Sequence, residues 1–213
     1  NLEFTYYLTW GKYWNKQMKN NNPNTKITTF GYPFIPFLEK KKLKKIIFLG
    51  QKVGPLIEED HYNDFLELAL NSKKLLHDFI IIFRPHPQYP LKDEYYKRLK
   101  NNSILIDNRG DFSHLQESLI AVSILSSSLI DGLFSNTIPI SFNPPSTKYT
   151  VPLEKFGIGI ESGDKKIIQK SILNLSKNKI ERDKILDNYK TIKDELFSSL
   201  SNNNIVEFIK NLD

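Results

Sequence analysis

Short apolar runs rich in β-branched residues alternate along this chain with longer segments whose apolar residues recur three and four apart. Runs of the first kind read as strands at 26–30, 45–49, 79–83, 104–106, 119–125 and 137–142. Segments of the second kind read as helices at 57–76, 91–100, 112–117 and 127–134. Most of the strands are apolar on both faces, as in Phe79-Ile80-Ile81-Ile82-Phe83. A strand with one wet face would alternate, so these predict a parallel sheet covered by helices on both sides, an α/β fold. Beyond Phe142 the pattern changes. Asn143-Pro144-Pro145-Ser146 breaks any regular element, and a loop-like stretch runs through Pro152 and Gly157 to Gly163. Amphipathic helices are then expected at 164–175, 181–200 and 204–212, packing back on the sheet.

The first forty residues follow neither period. Tyr6, Tyr7, Trp10, Tyr13, Trp14, Phe30, Tyr32, Phe34 and Phe37 make an aromatic-rich stretch interrupted by Asn20-Asn21-Asn22-Pro23-Asn24. Two readings stand side by side: an interdomain face, or an aromatic layer over the edge of the sheet.

With 213 residues the chain has enough length for one good core or two thin ones. Cysteine is absent, which removes disulfides, thiolate metal sites and cysteine nucleophiles together. A net charge of +6 favours anionic ligands or surfaces without requiring nucleic acid, and no nucleic-acid partner is expected. Lys40, Lys41, Lys42, Lys44 and Lys45 form the densest basic run. Such a run is attracted to an anionic leaflet by about 1 kcal/mol per lysine, although a solvated loop is the commoner role. No apolar run approaches the roughly 20 residues of a membrane span. The expectation is a soluble cytoplasmic protein, at most peripheral at the inner face of the plasma membrane. The chain starts at Asn1 without a signal-peptide pattern and reads as a segment of a longer protein.

The sharpest chemical signal is Arg84-Pro85-His86-Pro87 directly after the strand at 79–83. In open α/β sheets the ligand crevice lies outside the carboxyl ends of the strands. The prolines stiffen the turn around His86, whose imidazole donates to a phosphate oxygen or exchanges a proton, and Arg84 adds a charge suited to phosphate. The second signal is Ser126-Ser127-Ser128, between the strand at 119–125 and the helix at 127–134. Serines there offer hydroxyl donors and free backbone N–H groups at a helix start, a place where phosphate binds without metal. Ordinary helix capping is the competing role. Asp131, inside that helix, is placed to accept from ribose hydroxyls, and Glu117, at the end of the helix before the serine strand, is expected on the same edge to read a base or sugar. His61, His77 and His114 lack ligand spacing and receive no role.

Fingerprints of dinucleotide oxidoreductases, P-loop NTPases, zincins and α/β-hydrolases are missing from the sequence. What is present resembles the C-terminal, nucleotide-sugar-binding half of GT-B glycosyltransferases, particularly bacterial sialyltransferases, polysialyltransferases and capsular Kdo transferases. Their His-Pro and Ser-Ser motifs are matched by His86-Pro87 and by Ser126-Ser127-Ser128. CDP-glycerol glycerophosphotransferases look similar at the same places, including an acid such as Asp131 after the serines. The resemblance covers roughly residues 9–142.

It implies a Rossmann-like parallel sheet forming one half of a GT-B fold, with an entry segment at 1–40, the donor-nucleotide domain at 41–160 and helices at 161–213. It also implies that His86, Ser127 and Ser128 hold the phosphate of a CMP-sugar, that Glu117 or Asp131 approaches cytidine, and that no metal or other cofactor is required. A glycan or lipid-linked acceptor, and the general base, would belong to an N-terminal domain outside this chain. The product would be a bacterial capsule or lipopolysaccharide glycan. A CDP-glycerol glycerophosphotransferase or a UDP-sugar transferase or epimerase-like domain is the alternative, and a non-catalytic interaction domain that kept the fold is another.

Overall fold

A computed structural model of the chain describes residues 6–21, 23–33, 40–54, 57–109, 111–145, 147, 151–198, 200, 206 and 209–210. Two compact units divide it, one of residues 1–36 with 189–213 and one of residues 37–188.

In the smaller unit, β1 (Tyr6–Thr9) pairs in parallel with β2 (Lys26–Thr29), and α1 (Lys12–Asn21) crosses between them. The rings near the N-terminus pack with the end of the chain's last described long helix. Trp10 meets Tyr32 edge to face at 5.3 Å and Trp14 at 5.6 Å, and Tyr32 meets Phe197 at 5.4 Å. Trp14 Nε1 donates to the Leu196 carbonyl at 2.8 Å. Gly11 is needed there, because an added Cβ would stand 2.5 Å from the Glu195 carbonyl oxygen. The apolar surface that meets Leu196 and Phe197, at the end of the last long helix expected, is the aromatic cluster of 10–32. Phe34 and Phe37, and nearly all of the helix expected at 204–212, lie outside the described residues.

The larger unit holds a six-stranded sheet, every pairing parallel: β3 (Lys45–Leu49), β4 (Ile80–Arg84), β5 (Leu105–Ile106), β6 (Ile120–Ser123), β7 (Ile138–Phe142) and β8 (Ile160–Ser162). Their spatial order is β5-β4-β3-β6-β7-β8. The chain builds outward from β3 through β4 to β5, then returns to β6 beside β3 and builds outward the other way. That is the Rossmann-like doubly wound order, with its topological switch between β3 and β6.

The helices α2 (Glu59–Leu75), α3 (Asp93–Asn101), α4 (Ser113–Glu117), α5 (Ser128–Phe134) and α6 (Lys165–Lys177) connect or follow these strands, and α7 (Lys179–Leu196) begins in this unit. Strands β3, β6 and β7 are buried along their whole length, as the two-sided apolar runs require. Phe65 of α2 packs on Phe48 and Phe83, and Ile168, Ile172 and Leu175 of α6 complete the core at helical spacing. Asp164 caps α6 by accepting from the Lys166 amide at 2.7 Å.

Candidate functional site

The carboxyl ends of β3, β4, β5 and β6 open into one cavity of about 650 Å³. Leu49 and Gly50 line it from β3, Arg84 to Pro87 from β4, Asp107 to Arg109 from β5, and Leu125 to Ser128 from β6, with Leu91, Tyr96 and Phe112 as apolar wall. This is the switch-point crevice that the topology requires. Ser123 Oγ donates to the Leu49 carbonyl at 2.7 Å, tying the two switch strands together at the cavity. Gly50 approaches the next strand closely: its amide donates to the Arg84 carbonyl at 2.7 Å, and a Cβ would lie 3.1 Å from that oxygen.

His86 sits on a tight turn, with the Tyr89 amide donating to its carbonyl at 2.9 Å. Its Nδ1 accepts from the Gln88 amide at 3.2 Å. A nitrogen that accepts carries no proton, so in the neutral ring the hydrogen sits on Nε2, and His86 is one of the residues lining the cavity.

Arg84 is placed at the cavity as expected, and several of its donors are engaged within the protein. Its Nε and Nη2 donate to Asp107 Oδ2 at 3.0 and 2.6 Å, and Nη2 also donates to the Asp111 carbonyl at 2.6 Å. The Asp107 side chain has no exposed surface. Burial alone would raise its pKa; hydrogen bonding and charge attraction from Arg84, then from Arg109, outweigh this and hold it below the usual carboxylate value. Sequence reading did not single out Asp107 or Arg109. The available signal was an acid and a base two apart just past the end of a strand, at Asp107-Asn108-Arg109.

The serine turn begins with Leu125 in the left-handed region, φ 56°. A bulky residue there costs about 1–2 kcal/mol, which the packing of the strand end must offset. The turn brings Ser126, Ser127 and Ser128 to the cavity together with His86 and Pro87. Ser126 Oγ accepts from the Ser128 amide at 3.3 Å, whereas Ser127 stands at the cap position with helical φ and ψ and makes no side-chain cap bond. The capping role therefore does not belong to Ser127.

Glu117 is not brought to this site. The five-residue α4 carries the chain from the cavity, at Phe112, to the opposite edge of the sheet, where Glu117 pairs with Lys45, the first residue of β3, at 2.6 Å. The expectation that it shares an edge with the serines is corrected. Asp131 lies half-buried in α5 and is not among the cavity-lining residues. Four of the five lysines of the basic run have partners within the protein. Lys42 donates to the Gln116 carbonyl and to Thr137 Oγ1, both at 2.6 Å, Lys44 pairs with Asp78 at 2.6 Å, and Lys40 lies 3.9 Å from Glu117. Burial pushes the Lys42 ammonium down to about 7. No helix among the described residues is long and apolar enough to cross a membrane.

No model of a known protein family and no curated protein matches the chain. Solved structures do. S. aureus TarM, crystallised with UDP, aligns over 95% of this chain and 43% of its own, with TM-score 0.64 and 12% identity. The UDP-GlcNAc 2-epimerase from Neisseria meningitidis aligns over 97% of this chain and 61% of its own, with TM-score 0.64 and 11% identity. The C-terminal CMP-Kdo binding domain of WaaA from Acinetobacter baumannii aligns over 73% of this chain and 90% of its own, with TM-score 0.54 and 9% identity. At these identities the likeness shows the fold, that of domains from GT-B glycosyltransferases and sugar-nucleotide epimerases. The chain spans less than two thirds of the first two proteins.

Proposed function

We propose that this chain is the donor-binding domain of a GT-B glycosyltransferase of bacterial surface-polysaccharide synthesis, one that transfers a sugar such as sialic acid or Kdo from a CMP-sugar. The observation carrying this reading is the convergence of His86 and the serine turn, from two strand ends, on one switch-point cavity. The His86 Nε2–H, the serine hydroxyls and the turn's backbone amides then hold the donor phosphate, without a metal to balance its charge. An acceptor-binding domain outside this chain supplies the general base and a glycan or lipid-linked acceptor. The working location is the cytoplasm, at the inner face of the plasma membrane where Lys41 faces solvent.

The likeness to the CMP-Kdo binding domain, which matches nearly that whole domain, supports the cytidine choice. The likeness to a UDP-GlcNAc 2-epimerase favours a second reading, a UDP-sugar site on the same scaffold. Calorimetry with CMP, CDP, a CMP-sugar, UDP and a UDP-sugar separates them. Heat from the cytidine nucleotides, unchanged by EDTA, is the expected result. Heat from the uridine nucleotides alone transfers the site to the second reading, and heat from none leaves an interaction domain that kept the fold.

A further inference from the structure

The cavity wall contains two guanidinium groups held by one carboxylate, and their donors are spent differently. Asp107 has no exposed side-chain surface, and both its oxygens are engaged: Oδ2 by Arg84, Oδ1 by the amide and the Nε of Arg109, each of the latter at 3.2 Å. Arg84, with 16% of its side chain exposed, directs Nε and Nη2 at the strand-end loop itself, to Asp107 and the Asp111 carbonyl. Those bonds fix the path of the loop between β5 and α4. Arg109 differs. Its side chain is 53% exposed, only its Nε is used by Asp107, and Nη1 and Nη2 donate no hydrogen bond among the described residues. Its other acidic neighbour, Asp111 Oδ2, stands 4.0 Å from Nη1, beyond hydrogen-bond reach. The Asp111 carboxylate is occupied with the Ser113 amide and hydroxyl at the start of α4.

We infer that Arg109, not Arg84, is the guanidinium that grips the anionic group of the bound nucleotide, and that Asp107 is a positioning residue that aims it. A guanidinium anchored through Nε presents Nη1–H and Nη2–H as a fork matched to two oxygens of a phosphate. Arg84 presents the same fork only by releasing the Asp111 carbonyl, because its Nε–H and one Nη2–H hold Asp107 and the other Nη2–H holds that carbonyl. Anchoring at Nε also removes most of the rotamer freedom that a free arginine loses on binding.

This inference rests on the nucleotide reading above, and the test keeps the two apart. Calorimetry is run on the full chain and on Arg109→Gln with CMP and UMP, with the corresponding nucleosides, and with inorganic pyrophosphate. If Arg109 grips phosphate, the substitution lowers nucleotide affinity about ten- to a hundred-fold, leaves nucleoside affinity unchanged, and flattens the salt dependence of nucleotide binding. Arg109→Lys recovers only part of the loss, since an ammonium lacks the fork. Arg84→Gln, by contrast, lowers the melting temperature and weakens nucleotide and nucleoside together. Equal nucleotide affinity in wild type and Arg109→Gln overturns the inference while leaving the nucleotide reading intact. A loss shared equally by nucleoside and nucleotide overturns it too, because the residue then shapes the cavity without touching phosphate. Absence of binding to wild type by every one of these probes overturns both.

Discussion

The two edges of the same parallel sheet treat their polar groups in opposite ways. At the amino edge, where β3, β4, β6 and β7 begin, charges close on one another: Lys45 on Glu117, Lys44 on Asp78, and Lys42 on a helix-end carbonyl and Thr137, whose own hydroxyl also donates to the Leu115 carbonyl at 2.8 Å. At the carboxyl edge His86, Arg109 and the serine turn line a cavity, and the outer nitrogens of Arg109 donate no hydrogen bond among the described residues. Folding alone is served by the first arrangement. The second gathers polar side chains around an open cavity, as the proposed donor site requires.

The largest expected effect tests whether the carboxyl edge has a structural floor under its open donors. Asp107→Ala removes a buried carboxylate and strands Arg84, which is itself mostly buried, so unfolding in urea should be easier by about 3 kcal/mol. A change below about 0.5 kcal/mol would mean that Arg84 finds water or another acceptor, and that the loop after β5 is not built on this pair.

Next in size is His86→Ala. If the ring donates to the donor phosphate from the cavity lining, the substitution weakens CMP binding about ten- to a hundred-fold while the melting temperature barely moves. The reverse outcome, a lower melting temperature with CMP affinity intact, would assign the histidine to the turn alone and erase the contrast between the edges at this point.

How much of that contrast was legible in the sequence differs by edge. The strands of the larger unit other than β8 were visible as apolar runs, and β3 matches its expected bounds because four apolar residues, Ile46 to Leu49, stand between Lys45 and Gly50. His86 and the serine turn were legible because each follows such a run directly. Asp107 and Arg109 were hidden: β5 is two residues long, and an Asp past a faint strand looks like any loop acid until Arg84 is seen opposite it. Glu117 was misplaced because a five-residue helix rises about 7–8 Å, enough to help move the chain between edges, and linear spacing does not report direction. In the smaller unit β1 and α1 were missed, since Lys12–Asn21 has few apolar residues and its Trp14 is anchored by Leu196, 182 positions away. β8, three half-buried residues, carried too weak a pattern.

The amino edge is sharpened by pH. The Lys42 ammonium is pushed down to about 7 by burial, against an ordinary value of 10.5. Between those values the unfolded chain holds this proton and the folded chain does not, so the Lys42 contribution to stability rises with pH across the window. Below about 7 both states are protonated and the contribution levels off at its least favourable value. The slope is at most about 1.4 kcal/mol per pH unit. Lys42→Met should remove it, so the difference in unfolding free energy between wild type and variant should grow from pH 7 to pH 9.5. The upper limit avoids the tyrosines, whose raised values would reverse the trend in stronger base. Parallel pH profiles would mean that the two oxygen acceptors keep Lys42 charged, and that the amino edge is closed by an ion rather than a neutral amine.

The smallest effect belongs to Ser127→Ala, and it discriminates most finely. Ser127 is exposed, lines the cavity and makes no side-chain cap bond, so removal of its hydroxyl deprives the helix start of nothing that it uses. A true cap serine would cost about 1 kcal/mol on truncation, and a shift of that size in the urea midpoint would return this residue to the structural side. The expected result is an unchanged midpoint with nucleotide affinity lowered about two- to ten-fold, the worth of one neutral hydrogen bond. The loss stays below that of His86→Ala because the backbone amides of the turn remain in place to meet the phosphate. Equal losses from the two substitutions would mean that the hydroxyl, not the backbone, carries the turn's share of binding, and that the serines are read for their side chains.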